Sequence, residues 1–509
     1  MTPTLLAMQR HFQHIDYVVL AGYLAVLVGI GWYFSRREKS TDDFFLGGRR
    51  IPWWAAGLSI FGTALSAITY VSIPGNAFQG NWVMVIAQIS PIVLVPIVAA
   101  VYIPFYRRLN VTTPYEYLQK RFNTPVRLLA SAQWVLFQFG RMSIILYIPS
   151  LALSAATGLN VYACILIMGV LSTLYTVLGG LEAVIWTDAL QVVILMGGAV
   201  ASLCFVAAGV EGGFAGIVAE GVAGEKFHML NFTWDVAAPA VWVIAIGAAV
   251  SNFAVYTTDQ ALVQRYMSTR TLRESKAALW TSALGSIPTG LLFFFLGTAL
   301  WVFYRQHPAL LPEDMAGDRV FPLFIVQQLP PGLSGLIIAG IFAAAMSSVD
   351  SGVNSISAAV TTDFVRRFRP EAGERFFLRL ARVLAVVIGA IGTSIALVLA
   401  TWDIQSLYGF FLMVLGLFTG GLAGLFVLGI FTRRAGAWGS LVGAAVSATV
   451  MAVARWRPQW VPVHELLYGV LSLAICVGVG YVASLILPAA GKSLAGLTVF
   501  TAGEEVARS

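Results

Sequence analysis

Apolar stretches of about 20 residues, the length that crosses a hydrocarbon core as a helix, follow one another along almost the whole chain. They leave no segment large enough for a separate water-soluble domain. With 58% hydrophobic residues, 11% charged residues and a mean hydropathy of +0.82, the chain reads as an all-α polytopic membrane protein. About 13 transmembrane helices are expected, among them two centred near residues 168 and 197 and one near 417. The first apolar run is long and followed by RREK, so it is read as a retained helix and not a cleaved signal. Cys164, Cys204 and Cys476 lie in apolar spans without metal-ligand or disulfide spacing.

Charge sets the expected orientation. Most of the 31 lysines and arginines fall in alternate loops, including Arg36, Arg50, Arg107, Arg121, Arg265, Arg366 and Arg433, or in the carboxyl tail. The positive-inside rule then puts the amino terminus outside and the carboxyl terminus in the cytoplasm, in a cell (inner or plasma) membrane. The net charge of +7 follows from that topology and argues no nucleic-acid partner. One basic residue remains inside an apolar stretch: Arg141, in VLFQFGRMSIILYIPSLAL. A charge there costs roughly 2.5 to 3.5 kcal/mol unless it is paired or faces water. Its planar fork suits a bound carboxylate; the alternative is a structural pair with an internal acid.

Two hydroxyl stripes draw attention next. In GLSIFGTALSAITYVSIP, residues Ser59, Thr63, Ser66, Thr69 and Ser72 recur at helical spacing, Gly62 weakens the middle and Pro74 is expected to close the helix. A helix opened in mid-membrane exposes carbonyls that survive only where they line a cavity or coordinate something. The other reading is a small-residue packing face. Ser347, Ser348, Ser351 and Ser355, interleaved with Asp350 and Asn354, repeat the design, and Asp188 adds a second intramembrane acid. Sodium takes about five or six hard oxygen ligands, which the two stripes can supply jointly. Asp259, in NFAVYTTDQALVQRY, is expected at a helix end reaching the cytoplasm. Its helix lies five spans after the first stripe, the separation an inverted five-plus-five repeat with a broken first helix in each half would give. His11, His14, His228, His307 and His464 all fall in termini or loops, so no enzyme is indicated, and the short tail leaves no room for a signalling domain.

The segments DDFFLGGRRIPWWAAGLSIFGTALSAITYVSIPG, YTVLGGLEAVIWTDALQ, YTTDQALVQRY, FAAAMSSVDSGVNSIS and GLFVLGIFTRRAGAWGS together resemble the sodium/solute symporter family over residues 15 to 487. FGRMSIILY, SIPGNAFQGNW and PLFIVQQLPPGLSGLIIAGIFAAA are similar to the bacterial sodium/sialic acid symporters within it. The resemblance implies the LeuT-type five-plus-five inverted repeat: residues 1–50 as an extra helix and loop, 51–434 as a ten-helix core, and 435–509 as two appended helices and a tail. It implies a first sodium site from backbone oxygens of Gly62, Leu65 and Ala344 and hydroxyls of Ser347 and Ser348. A second sodium would take Asp188, Ser347, Asp350 and Ser351, with Asp350 departing from an expected serine. Arg141 would hold the substrate carboxylate, and Ser66, Thr69 and Gln88 the rest. Ala64 stands where threonine is expected, and Met84 and Ala248 where aromatics are expected. The implied function is sodium-driven import of a small carboxylated solute, a sialic acid first, with a monocarboxylate, vitamin or neutral sugar as the alternative. Implied partners are the anionic solute, sodium and membrane lipid, with no obligate protein partner.

Overall fold

The computed structural model describes residues 13–36, 39–65, 67–312, 315, 317–402, 407–487 and 493–501, without the side chains at 67–68, 152–153, 155–157, 407–417, 455 and 458. Hydrocarbon offers the backbone no partner, so a chain this apolar satisfies its amides within helices. The principal helices are α1 His14–Ser35, α2 Trp53–Ala64, α3 Ala67–Gln79, α4 Val83–Leu109, α5 Tyr115–Arg121, α6 Thr124–Thr157, α7 Val161–Ala208, α8 Gly213–Ala223 and α9 Val241–Thr258. They continue as α10 Gln260–Met267, α11 Leu272–Gln306, α12 Gly317–Gln328, α13 Leu333–Ala359, α14 Glu374–Leu399, α15 Leu407–Phe431, α16 Ala437–Trp456 and α17 Tyr468–Ile486.

Among the described residues 10 helices are long and apolar enough to cross a membrane, or 11 with the α2–α3 pair, bent by 51°, taken as one span. Helix α7 has 48 residues, about 72 Å at 1.5 Å per residue, against a hydrocarbon core of about 30 Å. It bends at Gly180 (φ 51°, ψ −151°), between the two spans expected near 168 and 197. Glycine is required there twice over: φ is positive, and a Cβ would lie 2.8 Å from the Phe44 carbonyl. The span expected near 417 falls in α15, whose side chains are described from Phe418 onward.

Helix α13 is the axis of the bundle. Every side chain from Ile337 to Ala359 is buried, so its serines, Asp350 and Asn354 meet protein on all sides, as an all-round apolar helix must. Helices α7, α6, α1, α14, α10 and α2 pack around it. The extra helix α1 turns Val18, Val26 and Trp32 outward, yet buries Asp16 against the start of α13. That carboxylate accepts from the amides of Gly332 (2.6 Å) and Gly335 (2.8 Å), satisfying donors a helix start leaves orphaned.

The loops expected on one side do meet on one face. Ile51 bridges to Thr269, Arg107 donates to Ser275 (2.9 Å), Arg366 reaches Thr41 (3.0 Å) and Glu374 (2.7 Å), and Arg108 donates to the Gly496 carbonyl. One local expectation fails. Pro74 sits inside α3, which runs on to Gln79. A proline costs a helix one bond, and close approach of α11, where a Cβ on Gly297 would fall 2.3 Å from the Pro74 carbonyl, holds the turn in place. The helix opens instead at Leu65 (φ −81°, ψ 77°), three residues past Gly62.

Candidate functional site

Two interruptions face each other in the bundle, and each leaves carbonyls that its own helix cannot satisfy. Helix α2 ends at Ala64, and Arg141 on α6 donates to the Thr63 carbonyl (3.2 Å). Helix α9 ends at Thr258, and the hydroxyls of Tyr106 and Tyr115 donate to the carbonyls of Thr257 (2.6 Å) and Thr258 (3.0 Å). Asp259 (φ −74°, ψ 115°) fills the second interruption, one carboxylate oxygen capping α10 at the Ala261 amide (2.9 Å) and the other accepting from Arg141 (3.1 Å). Asp259 is therefore not at the cytoplasmic surface; it is 2% exposed, in the middle of the fold. One guanidinium, itself buried, ties the two interruptions together.

A cavity of about 250 Å³ opens beside the first interruption. Ala64, Thr69, Met84, Gln88 and Ala248 line it, so the three positions that depart from the expected pattern lie on its wall. Arg141 does not line it in this conformation, and Ser66 lies outside the described residues. The cavity also presents Asn76, Ser251, Asn252, Tyr256, Ser282, Ser286 and Thr289. The side-chain amides of Asn76 and Gln88 have no hydrogen-bond partner among the described residues, whereas Asn252 donates to Ser90 (2.8 Å). Polar groups converging on an apolar wall suit a small, hydroxyl-rich solute.

On the other side of α2 the polar groups turn toward α7 and α13. Gly62 faces α7: a Cβ there would come within 3.0 Å of Val192 and 3.8 Å of the Asp188 Cβ. Asp188 accepts from Ser59 and from Arg265 (3.0 Å). Arg265 also donates to Ser59 (2.6 Å), to the Ala261 carbonyl (2.6 Å) and to Ser351. Asp350 accepts from Tyr175 (2.6 Å) and Ser351 (3.2 Å). Arg265, expected in a cytoplasmic loop, is thus fully buried at the acid pair. The helix that carries it has only eight residues and is polar, so it reads in the sequence as a loop.

Oδ1 of Asp188 and Oγ of Ser347 make no well-formed hydrogen bond among the described residues, although the Ser347 hydroxyl lies beside the Asp188 carboxylate. The Ser348 hydroxyl reaches the Ala344 carbonyl only at 3.4 Å, near the outer limit for such a bond. Gly62, Leu65, Ala344, Ser347, Ser348, Asp188, Asp350 and Ser351 are all buried. Buried oxygens without donors are costly unless a cation or a donor meets them, and a guanidinium beside two carboxylates leaves room for a further positive charge.

The comparison with known sequences decides the family. The model of the sodium:solute symporter family matches residues 44–447. The chain belongs to this family. The sodium/sialic acid symporter SiaT of Proteus mirabilis is 38% identical over 96% of this chain and 98% of that protein, and NanT of Aliivibrio fischeri, also a sodium/sialic acid symporter, is 38% identical over 93% of each. A solved structure of a Na+-coupled sialic acid symporter, substrate-bound and outward-open, superposes with a TM-score of 0.89 at 37% identity, covering 95% of this chain and all of that one. This symporter accordingly has the LeuT-type fold, is coupled to sodium, and is a transporter and not an enzyme.

Within the symporter fold, sequence reasoning missed Arg265, Tyr175 and the depth of Asp259. A signal for Asp259 did exist: it stands one residue before Gln260 in the helix that pairs, by the repeat, with the broken first helix. For Tyr175 there was none, since a tyrosine in an apolar span is ordinary lining until its hydroxyl finds Asp350.

Proposed function

We propose that this symporter imports a sialic acid, N-acetylneuraminate, together with sodium. The observation that carries the reading is the pairing of a solute-sized cavity at the first interruption with a buried cluster of oxygens across the same helix, in which Asp188 Oδ1 and the neighbouring Ser347 Oγ lack well-formed hydrogen bonds. The first sodium sits on the carbonyls of Gly62, Leu65 and Ala344 and the hydroxyls of Ser347 and Ser348, fastening α2 to α13. The second takes Asp188, Ser347, Asp350 and Ser351. Arg141 receives the substrate carboxylate by trading it for Asp259, a like-for-like exchange of acids, while Ser66, Thr69 and Gln88 bond the remainder of the sugar. Sodium and solute cooperate because each stabilises the same arrangement of the interruption.

Residues 51–434 form the rocking core, flanked by the extra helix of 1–50 and the appended helices of 435–509. The arginine-rich face is cytoplasmic, with the amino terminus outside. Two sodium ions with one anion carry one net charge inward, worth about 2.3 kcal/mol per 100 mV. Calorimetric titration of N-acetylneuraminate into the purified protein tests the reading: binding that tightens as sodium replaces potassium supports it, and binding indifferent to sodium overturns it.

A further inference from the structure

Away from the transport path, α15, α16 and α17 end around a second cavity, of about 380 Å³, on the face where the basic loops meet. Among the described residues Arg121, Arg433 and Arg434 line it and no carboxylate does. Elsewhere in the molecule several arginines are held by acids, Arg49 by Asp42, Arg50 by Glu182 and Arg127 by Asp363. Arg121 is anchored, donating to the carbonyls of Gly429 and Thr432 (both 3.0 Å). Arg433 rests on the Phe500 ring, and Arg434 is exposed, without a partner among the described residues.

Guanidinium groups gathered without an acid recognise phosphate oxygens, which accept two-point hydrogen bonds. The cavity's position names the carrier of that phosphate. Leu485 lines the cavity and is 53% exposed, and beside it Trp438 and Ile486 are 62% and 78% exposed, an apolar strip with an indole where apolar spans end. We propose that this cavity holds the headgroup of an anionic phospholipid, its phosphate on Arg433 and Arg434 and its acyl chains along α16 and α17. The orientation proposed above fixes only which leaflet supplies it; the binding chemistry is the same on either face.

The test is lipid retention by the full chain purified from mixed micelles of phosphatidylglycerol and phosphatidylcholine, read by native mass spectrometry. Retained phosphatidylglycerol is expected to exceed its share of the micelle roughly tenfold in the wild type. Arg433→Gln with Arg434→Gln is expected to abolish the enrichment while sodium still stabilises the protein, and Arg433→Lys with Arg434→Lys to keep part of it. Equal retention of the two lipids by the wild type, or unchanged enrichment in the double glutamine variant, overturns the proposal. So does inorganic phosphate that removes the enrichment at millimolar concentration, which would make this a free-anion site. A several-fold gain on Glu504→Gln with Glu505→Gln would make the chain's own tail the occupant and would overturn it as well.

Discussion

The two interrupted helices are built from opposite materials. The α2–α3 interruption is uncharged, made of carbonyls and hydroxyls, and opens on the cavity. The α9–α10 interruption is charged and closed: Asp259 caps its own second half, tyrosines satisfy the carbonyls of the first, and Arg265 lies buried a turn and a half further on. The charged one also reaches across to the neutral one, Asp259 through Arg141 to Thr63 and Arg265 directly to Ser59. Labour is thereby divided. One interruption stands open beside the cavity, and the other supplies the fixed charges that hold it.

The largest effect should follow from cutting that hold. Arg265→Gln leaves Asp188 and Asp350 without a buried cation, and removing one partner of such a pair costs about 3–5 kcal/mol. The variant should melt well below the wild type in sodium-free buffer, regain much of the loss in sodium, and recover further with Asp350→Asn. Melting at the wild-type temperature without sodium would mean that the charged interruption does not hold the neutral one. Next comes the bridge between them. Arg141→Ala should lower uptake of carboxylated substrate by about 100-fold or more, the loss of a buried two-point charge contact, while sodium-induced thermal stabilisation persists. Asp259→Asn isolates the proposed exchange of acids: if Asp259 competes for Arg141, affinity for the substrate acid should rise by up to about tenfold while turnover falls. An affinity loss there would mean that Asp259 positions the guanidinium and does not compete for it.

Smaller effects belong to the neutral side. Ser348→Ala removes one oxygen from the proposed first sodium cage, so half-saturation by sodium should rise roughly fivefold, the worth of one hydrogen-bond-sized interaction; an unchanged sodium activation curve removes Ser348 from the site. Ala248→Phe introduces an aromatic on the cavity wall and should discriminate by a few-fold against sialic acids bulkier than N-acetylneuraminate. Equal uptake of both sizes would show that this wall does not touch the solute.

Legibility in the sequence follows the same division. The neutral interruption shows itself as hydroxyls at helical spacing in an apolar run, and Arg141 as a lone charge where lipid forbids one. The charged interruption is hidden by its own composition. A half-helix of eight residues holding Gln260, Gln264 and Arg265 is too short and too polar to register as membrane-embedded, so Arg265 reads as a loop residue like the basic residues that follow it. Pro74 misleads for a different reason: its effect depends on Gly297, far away in sequence, packing against it. Asp16 capping α13 is likewise invisible, because a trans cap joins two positions by tertiary contact alone.

If sodium acting at the neutral interruption drives sialic acid inward, purified protein in lipid vesicles must do so unaided. The decisive measurement is uptake of labelled N-acetylneuraminate into proteoliposomes, with and without an inward sodium gradient. Accumulation above the external concentration is expected, requiring the gradient and growing with a negative interior. Absence of accumulation, in protein that sodium demonstrably stabilises, would contradict this coupling.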